Sequence, residues 1–371
     1  MSQATATAAA TGEPVAGLER LGGYLAGAGL CAGPVTARRI GDGHSNLTYL
    51  VEDAAGRRVV VRRPPPPPLP PGGHDMHREA RVVQALAGSG VPVARILATA
   101  AAGEAFGDVP AYVMEYVDGE VVTERTPPGL VTAGGRRGLA EQLVDTLAAL
   151  HAVDWQAAGL EGFGRPAGSN AHLLKRYERL VADPADGTLP AAFRPVSAWL
   201  HASVPEETGA TIVHGDFRIG NVMVARGEPA TILAVLDWEL ATLGDPLMDV
   251  GYLLATYAVP GEPLHAVAEL GRATLEPGYP SRAELAARYA AATGRDVLSL
   301  GWFTVLNLYK LAAMYEYSRR RGEDAYYRNP ALVACLLDLA QRATGRAPAR
   351  PPVAPSGTSA DGRLTAGRAR G

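Results

Sequence analysis

Residues 35–63 alternate turn signals with β-branched runs. VTARRI (35–40), LTYLVED (47–53) and VVV (59–61) read as strands, with GDGHSN and AAGR as the turns between them. PPPPPLPPGG (64–73) then breaks the pattern and reads as a surface loop, with a polyproline ligand for a partner domain as the alternative. HDMHREARVVQALAGSG (74–90) has helical spacing, with Met76, Val83 and Leu86 on its apolar stripe. Glu79 lies on that same stripe, and an acid on a buried face needs a cation or a hydrogen bond. ARILATA (94–100) and AYVMEYV (111–117) read as strands. From about residue 138 the pattern turns helical, through 138–154, 171–183, 191–204, 246–258, 281–294 and a long helix near 299–321. The sequence thus predicts an α+β chain, β-rich first and helix-rich afterwards.

One segment interrupts the helical part. TIVHGD (211–216) begins with a short apolar run, and VMVA and TILAVL then read as a hairpin around the turn RGEP. Folded about position 229, the hairpin sets Asn221 opposite Asp237 at its open end, beside the loop that carries Asp216. A register shifted by one residue would break that pairing. An amide oxygen and two carboxylates together suit Mg²⁺, a hard ion that takes oxygen ligands and shares its shell with phosphates and water. Asp216 is then placed to orient a substrate hydroxyl and accept its proton. An Asp and an Asn five positions apart, with a second Asp for metal, form the phosphoryl-transfer arrangement of kinase-like enzymes. Any one of these residues alone is more often structural, as a turn former.

Composition narrows the class. The 371 residues are 47% hydrophobic with a net charge of −3, which fits a globular chain of two lobes and offers no field for nucleic acid or an anionic membrane. Arg319, Arg320 and Arg321 read as a solvated helix end. Two distant cysteines, Cys31 and Cys335, give no disulfide framework or thiolate metal site, and a cytoplasmic setting is expected. The first 16 residues do not read as a signal peptide, and both they and residues 346–371 are expected to be disordered. No apolar run reaches the length of a membrane span.

With these motifs in place, the sequence resembles the aminoglycoside phosphotransferase/choline kinase-like family. It is most similar to the subgroup found as the kinase-like domain of acyl-CoA dehydrogenase fusion proteins. The resemblance rests on GDGHSNLTYLV, VVVRRPP, HREARVVQAL, YVMEYVDG, LHAVDWQAAGLEGFGRP, HGDFRIGNVM and VLDWELATLGDPLMDVGYLL, which run in register over about 36–260. It implies a bilobal protein-kinase-like fold, with an N-lobe over 17–117 and a C-lobe over 118–345.

It also implies roles. Asp216 is the catalytic base, and Asn221 and Asp237 hold Mg²⁺. His214 braces the loop. Asp249 supports the same loop, or else simply places charge in a first helical turn. Met114 is the gatekeeper, and the backbone of Glu115 and Val117 meets adenine. Val60 lies against the base, and Ser45 and Asn46 donate to phosphate oxygens. Kinases carry a Lys on the third strand, paired to a helix acid; this chain has Arg62 and Arg63. The family motif puts the cation straight after the apolar run, which favours Arg62 as partner of Glu79.

The implied activity is ATP- and Mg²⁺-dependent transfer of the γ-phosphate to a hydroxyl of a small molecule. The charges of the C-terminal helices are mixed, which disfavours a cationic antibiotic, and the fusion context suggests a hydroxyacyl-CoA. Residues 302–321, with Trp302, Tyr309 and Lys310, are the candidate wall of the acceptor site. The missing Lys keeps a nucleotide-binding regulatory module without transfer activity as the alternative, and a partner-binding scaffold is the remaining class.

Overall fold

The computed structural model describes residues 17–41, 46–66, 74–262, 264–322 and 326–345. Ser45, residues 67–73 of the proline-rich loop, and the expected disordered tails 1–16 and 346–371 lie outside the described residues.

The chain enters through α1 (Leu18–Gly27) and continues with β1 (Val35–Ile40), β2 (Leu47–Asp53), β3 (Arg58–Arg63), α2 (Met76–Leu86), β4 (Ile96–Ala100) and β5 (Ala111–Glu115). The five strands form one antiparallel sheet in the order β1-β2-β3-β5-β4. One face buries Tyr49, Val51, Val59 and Val61 against Leu21 and Leu25 of α1. The other face presents Tyr112 to Met76 and Ala80 of α2. Successive strand residues point to opposite faces, so β3 sends its two arginines apart. The Arg63 guanidinium lies over the Phe106 ring, 5.0 Å from its centroid, on the α1 side. Arg62 shares the α2 side with Val60. Asp75 caps α2 by accepting the Arg78 N–H at 3.0 Å, and Val82, Val83 and Leu86 of that helix join the larger core below.

The rest of the chain builds that larger core. Its elements are β6 (Glu120–Val121), α3 (Ala133–Ala152), α4 (Ser169–Val181), α5 (Arg194–Ala202), β7 (Thr211–Val213), β8 (Val222–Val224), β9 (Ile232–Val235), β10 (Thr242–Gly244), α6 (Leu247–Thr256), α7 (Ala266–Glu269), α8 (Arg282–Thr293), α9 (Leu300–Arg321) and α10 (Pro330–Thr344). The helices α6 and α9 cross where Gly251 has no side chain; a Cβ there would meet Phe303 Cβ at 2.7 Å. Ser281 and Glu284 form a reciprocal cap on α8, which holds the Glu284 carboxyl down at about 2 through the Ser281 N–H and hydroxyl and then Arg137. Among the described residues, no helix is long and apolar enough to cross a membrane.

The β8–β9 hairpin differs from the expected register. Val222 pairs with Val235 and Met223 with Ala234, and the Leu236 N–H donates to the Asn221 carbonyl at 2.8 Å. Asn221 therefore faces Leu236, not Asp237. The hairpin turns about one residue earlier than position 229, and an irregularity between Met223 and Val224 offsets only part of that shift. Asp237 leaves the ladder in a left-handed conformation, with φ 65° and ψ 66°. A short polar residue tolerates that conformation better than a branched one. The reversal turns the Asp237 side chain back toward the sheet of the first lobe.

Candidate active site

Backbone bonds fix the loop between β7 and β8. Asp249, in the first turn of α6, is fully buried. Its Oδ2 accepts the His214 N–H at 2.7 Å, and its Oδ1 accepts the Gly215 N–H at 2.8 Å. Burial alone would push this carboxyl up. The His151 ring 3.4 Å away, together with His214 and its N–H, outweighs burial and holds it below the usual carboxylate range. His214 Nδ1 accepts the Asp216 N–H at 3.1 Å, so its proton sits on Nε2, which donates to the Leu236 carbonyl at 2.8 Å. The ring also packs against Trp238, with centroids 4.6 Å apart. Gly215, at φ 83°, has room for no Cβ, which would lie 2.7 Å from the Leu240 carbonyl oxygen.

At the loop's exit, Asn221 Nδ2 donates to the Asp216 carboxylate at 2.7 Å and to its carbonyl at 2.8 Å. Asn221 lines a cavity of about 730 Å³ between the two lobes together with Asp237. The cavity is also lined by Asn46, Val60, Arg62, Met114, Glu115 and Val117. Val60 and Met114 are direct cross-strand partners and form one apolar wall. The Glu115 side chain is taken by Arg95, whose Nε is 2.9 Å from it, and its N–H donates to the Arg95 carbonyl at 3.0 Å. Asp216, His214, Asp249 and Glu79 are not in the cavity lining.

Arg62 and Glu79 stand at the centre. Glu79, 2% exposed, lies 3.2 Å from Arg62 Nε and accepts the Tyr112 hydroxyl at 3.0 Å. Burial raises the Glu79 carboxyl, and Arg62 opposes that shift without cancelling it. Burial likewise disfavours the Arg62 charge, but Glu79 and Asp237 outweigh it and hold the guanidinium firmly protonated. Arg62 Nη2 reaches Asp237 Oδ1 at 2.5 Å, and Glu239 lies 3.8 Å away. Asn46, expected over phosphates, donates to Glu239 Oε2 at 2.9 Å instead, while its own Oδ1 meets His74 Nδ1 at 2.8 Å.

The expected wall for an acceptor is placed differently. Trp302 donates to the Leu200 carbonyl at 3.0 Å inside the core, and Tyr309 is fully buried against Phe193. Lys310 is buried with Nζ bonded to the Gly215 carbonyl and 4.5 Å above the Tyr252 ring. Only Tyr315 of α9 lines the cavity, joined there by Tyr326, Tyr327, Leu270 and Arg218. Sequence reasoning missed Glu239, His151 and the inward role of Lys310. The signal for Lys310 is a lone cation in an otherwise apolar stretch, the counterpart of Glu79 on the apolar stripe of α2.

The donor set fits a small hard cation. Asn221 and Asp237 bring an amide and a carboxylate, the oxygen chemistry Mg²⁺ takes, to the lining of one cavity, and Mg²⁺ commonly takes few protein ligands and completes its shell with phosphates and water. Among the described residues no cluster of three or more His, Cys, Asp or Glu side chains offers an all-protein cage.

Fold and site together define a bilobal, protein-kinase-like phosphotransferase architecture. The pattern of the phosphotransferase enzyme family matches residues 36–285, and the chain belongs to that family. Over 62% of its length it is 35% identical to acyl-CoA dehydrogenase family member 10 of Mus musculus, of which it spans 21%. A solved structure from Ralstonia eutropha, provisionally assigned as an aminoglycoside phosphotransferase, is 27% identical with a TM-score of 0.72 over 89% of this chain and 98% of that one. The aminoglycoside phosphotransferase APH(4)-Ia, solved as a ternary complex with AMP-PNP and hygromycin B, has the same fold at 16% identity and a TM-score of 0.56, over 87% of this chain and 97% of that one.

Proposed function

We propose that the protein is an ATP- and Mg²⁺-dependent kinase of a small hydroxylated molecule. The observation that carries this reading is the meeting of Arg62 from the first lobe, paired behind the wall to Glu79, with Asp237 and Asn221 from the second at one cavity. In this reading adenine lies between Val60 and Met114, and meets the carbonyl of Glu115 and the backbone at Val117. Arg62, steadied by Glu79, binds phosphate oxygens with a planar fork in place of the usual lysine point charge. Asn221 and Asp237 hold Mg²⁺, which neutralises phosphate charge when bound. Asp216 orients the acceptor hydroxyl and takes its proton, while Asn221 fixes the carboxylate and Asp249 and His214 fix the loop. Most of the rate then comes from positioning and charge neutralisation. The structural neighbour solved with AMP-PNP and hygromycin B is in keeping with a nucleotide and a small-molecule acceptor.

A hydroxyacyl-CoA is the acceptor we favour, because the matched relative joins such a segment to an acyl-CoA dehydrogenase. The test is calorimetry of ATP with and without Mg²⁺, on the wild type and on Asp237→Ala, followed by transfer assays on hydroxyacyl-CoAs. Mg²⁺-dependent binding lost in the variant supports the site; no binding by the wild type at millimolar ATP overturns the reading. The arginine in place of lysine favours a second reading, a nucleotide-binding regulatory module. Binding that persists with no transfer to any acceptor would establish it.

A further inference from the structure

A second, smaller pocket of about 200 Å³ shares no lining residue with the large cavity. It lies between α2, the 163–165 segment, the start of α4 and β10, and its charged lining is Arg78, Arg165, His172 and Arg176. Arg78 is anchored: Nη2 donates to the Phe163 carbonyl at 2.5 Å and to the Ala241 carbonyl at 3.0 Å, and its guanidinium stacks 3.8 Å from the Phe163 ring centroid. Arg165 and Arg176 are exposed, and among the described residues neither forms an ion pair. Burial, then Arg165, Arg179 and Arg176, push the His172 imidazole down, and no carboxylate opposes them. Burial also lowers Arg78; Asp75 opposes this, and Arg176 and Arg81 add to it.

Two acids at the ends of these helices are already committed. Asp75 caps α2 through the Arg78 N–H. Glu207 caps α4, accepting the Gly168 N–H at 2.9 Å, the Ser169 hydroxyl at 2.7 Å and the Asn170 N–H at 3.0 Å. The helix start is therefore satisfied by protein, and the attraction left in the pocket comes from side chains. Clustering like charges without a counterion costs free energy, and arginine forks suit tetrahedral oxyanions.

We propose that this pocket is a binding site for a phosphate-type dianion, separate from the nucleotide cavity. The anion meets Arg165, Arg176 and His172 from solvent, with Arg78 as the fixed floor. The site is tied to the large cavity through the chain. Arg78 is the neighbour of Glu79 on α2, and the Ala241 carbonyl it holds lies four residues after Asp237. Arg78 therefore ties α2 to the Asp237 segment, and a bound anion would sit against that tie. The inference does not depend on the acceptor, or on phosphate transfer taking place.

The dianion can be free phosphate or the 3′-phosphate of a nucleotide such as coenzyme A. Histidine NMR on the full chain, with His172 assigned through His172→Asn, follows its titration as inorganic phosphate is added at constant ionic strength. A saturable rise of the His172 pKa by about one is expected for a dianion at contact distance. The double variant Arg165→Ala/Arg176→Ala, at exposed positions, should melt like the wild type and bind phosphate at least about tenfold more weakly. Coenzyme A binding where dephospho-coenzyme A does not identifies the 3′-phosphate as the source. Equal effects of free phosphate identify the free ion. No saturable change at tens of millimolar phosphate or coenzyme A, or an undiminished response in the double variant, overturns the proposal.

Discussion

Arg62 and Asp237 meet across the cleft at 2.5 Å although 175 positions separate them in the chain. The contact closes a line of charge from Glu79 through Arg62 to Asp237, joining α2 to the hairpin of the other lobe. In the function proposed above, triphosphate oxygens entering the cavity would compete with Asp237 for the guanidinium, while Glu79 would keep it in place. Removing the fork should therefore weaken ATP binding by about tenfold or more, the size of a charge-assisted hydrogen bond or two. Arg62→Ala is expected to show that loss by calorimetry. Arg63→Ala, whose guanidinium faces Phe106 on the other side of the sheet, should stay within about twofold of wild type. The reverse ranking would remove Arg62 from the nucleotide site.

In the proposed reaction, substitution of Asp216 should separate binding from chemistry. Its carboxylate is held by Asn221 at 2.7 Å and does not line the large cavity. Asparagine at 216 can still accept that bond, but it cannot take a proton. Asp216→Asn should leave ATP affinity within about threefold and reduce kcat for transfer by about 10²–10⁴, the usual contribution of a general base. Transfer rates and ATP affinity measured on the same preparation check this. Unchanged transfer would exclude Asp216 as the base.

Much of this arrangement is visible in the sequence, because local rules and the fold agree there. The β2 and β3 strands, the stripe of α2 and the loop at 214–221 follow from alternation, helical spacing and turn chemistry. The position of Glu79 on an apolar stripe announced a buried cation, and alternation in β3 separates Arg62 from Arg63. The hairpin register was not visible. It depends on an irregular step at Met223 and a left-handed Asp237, neither of which leaves a periodic signature. α1, with LERLGGYLAG, was hidden by its glycines. α10 lies beyond the predicted helices, although its Val333, Leu336, Leu337 and Ala340 carry helical spacing. The tyrosines at the far end of the cavity come together only through the packing of α9 with the 326–328 turn.

Asp249 should make the fold sensitive to acid. Its carboxyl is held below its ordinary value of about 4, so its stabilising bonds are complete above that pH and are lost as pH falls through the lower folded value. Asp249→Ala leaves the His214 and Gly215 N–H groups buried without acceptors, at about 1–3 kcal/mol each. Urea unfolding should show the variant less stable by about 2–5 kcal/mol at neutral pH, and should show part of the wild type's acid-side slope missing. Equal slopes below about pH 4 would assign the acid response to other carboxylates.

Lys310 carries the last prediction. Burial lowers the pKa of its ammonium, which Asp216 and Asp249 partly counteract. A lysine depressed in this way opposes folding at neutral pH, and that penalty is relieved as pH rises through the folded value toward the unfolded one of about 10.4. An apolar replacement of similar length therefore need not destabilise the protein, as with other buried charges. The bond from Nζ to the Gly215 carbonyl nonetheless orders the peptide next to Asp216, and the ammonium is the buried cation behind that carboxylate. Lys310→Met should keep its melting temperature and ATP affinity but lose about tenfold or more in kcat, about the worth of one charge-assisted bond. The wild type should lose activity at alkaline pH as Lys310 deprotonates. Lys310→Met should lack that limb, and Lys310→Arg should move it upward. A Lys310→Met variant with full kcat and the same alkaline limb would reduce Lys310 to packing.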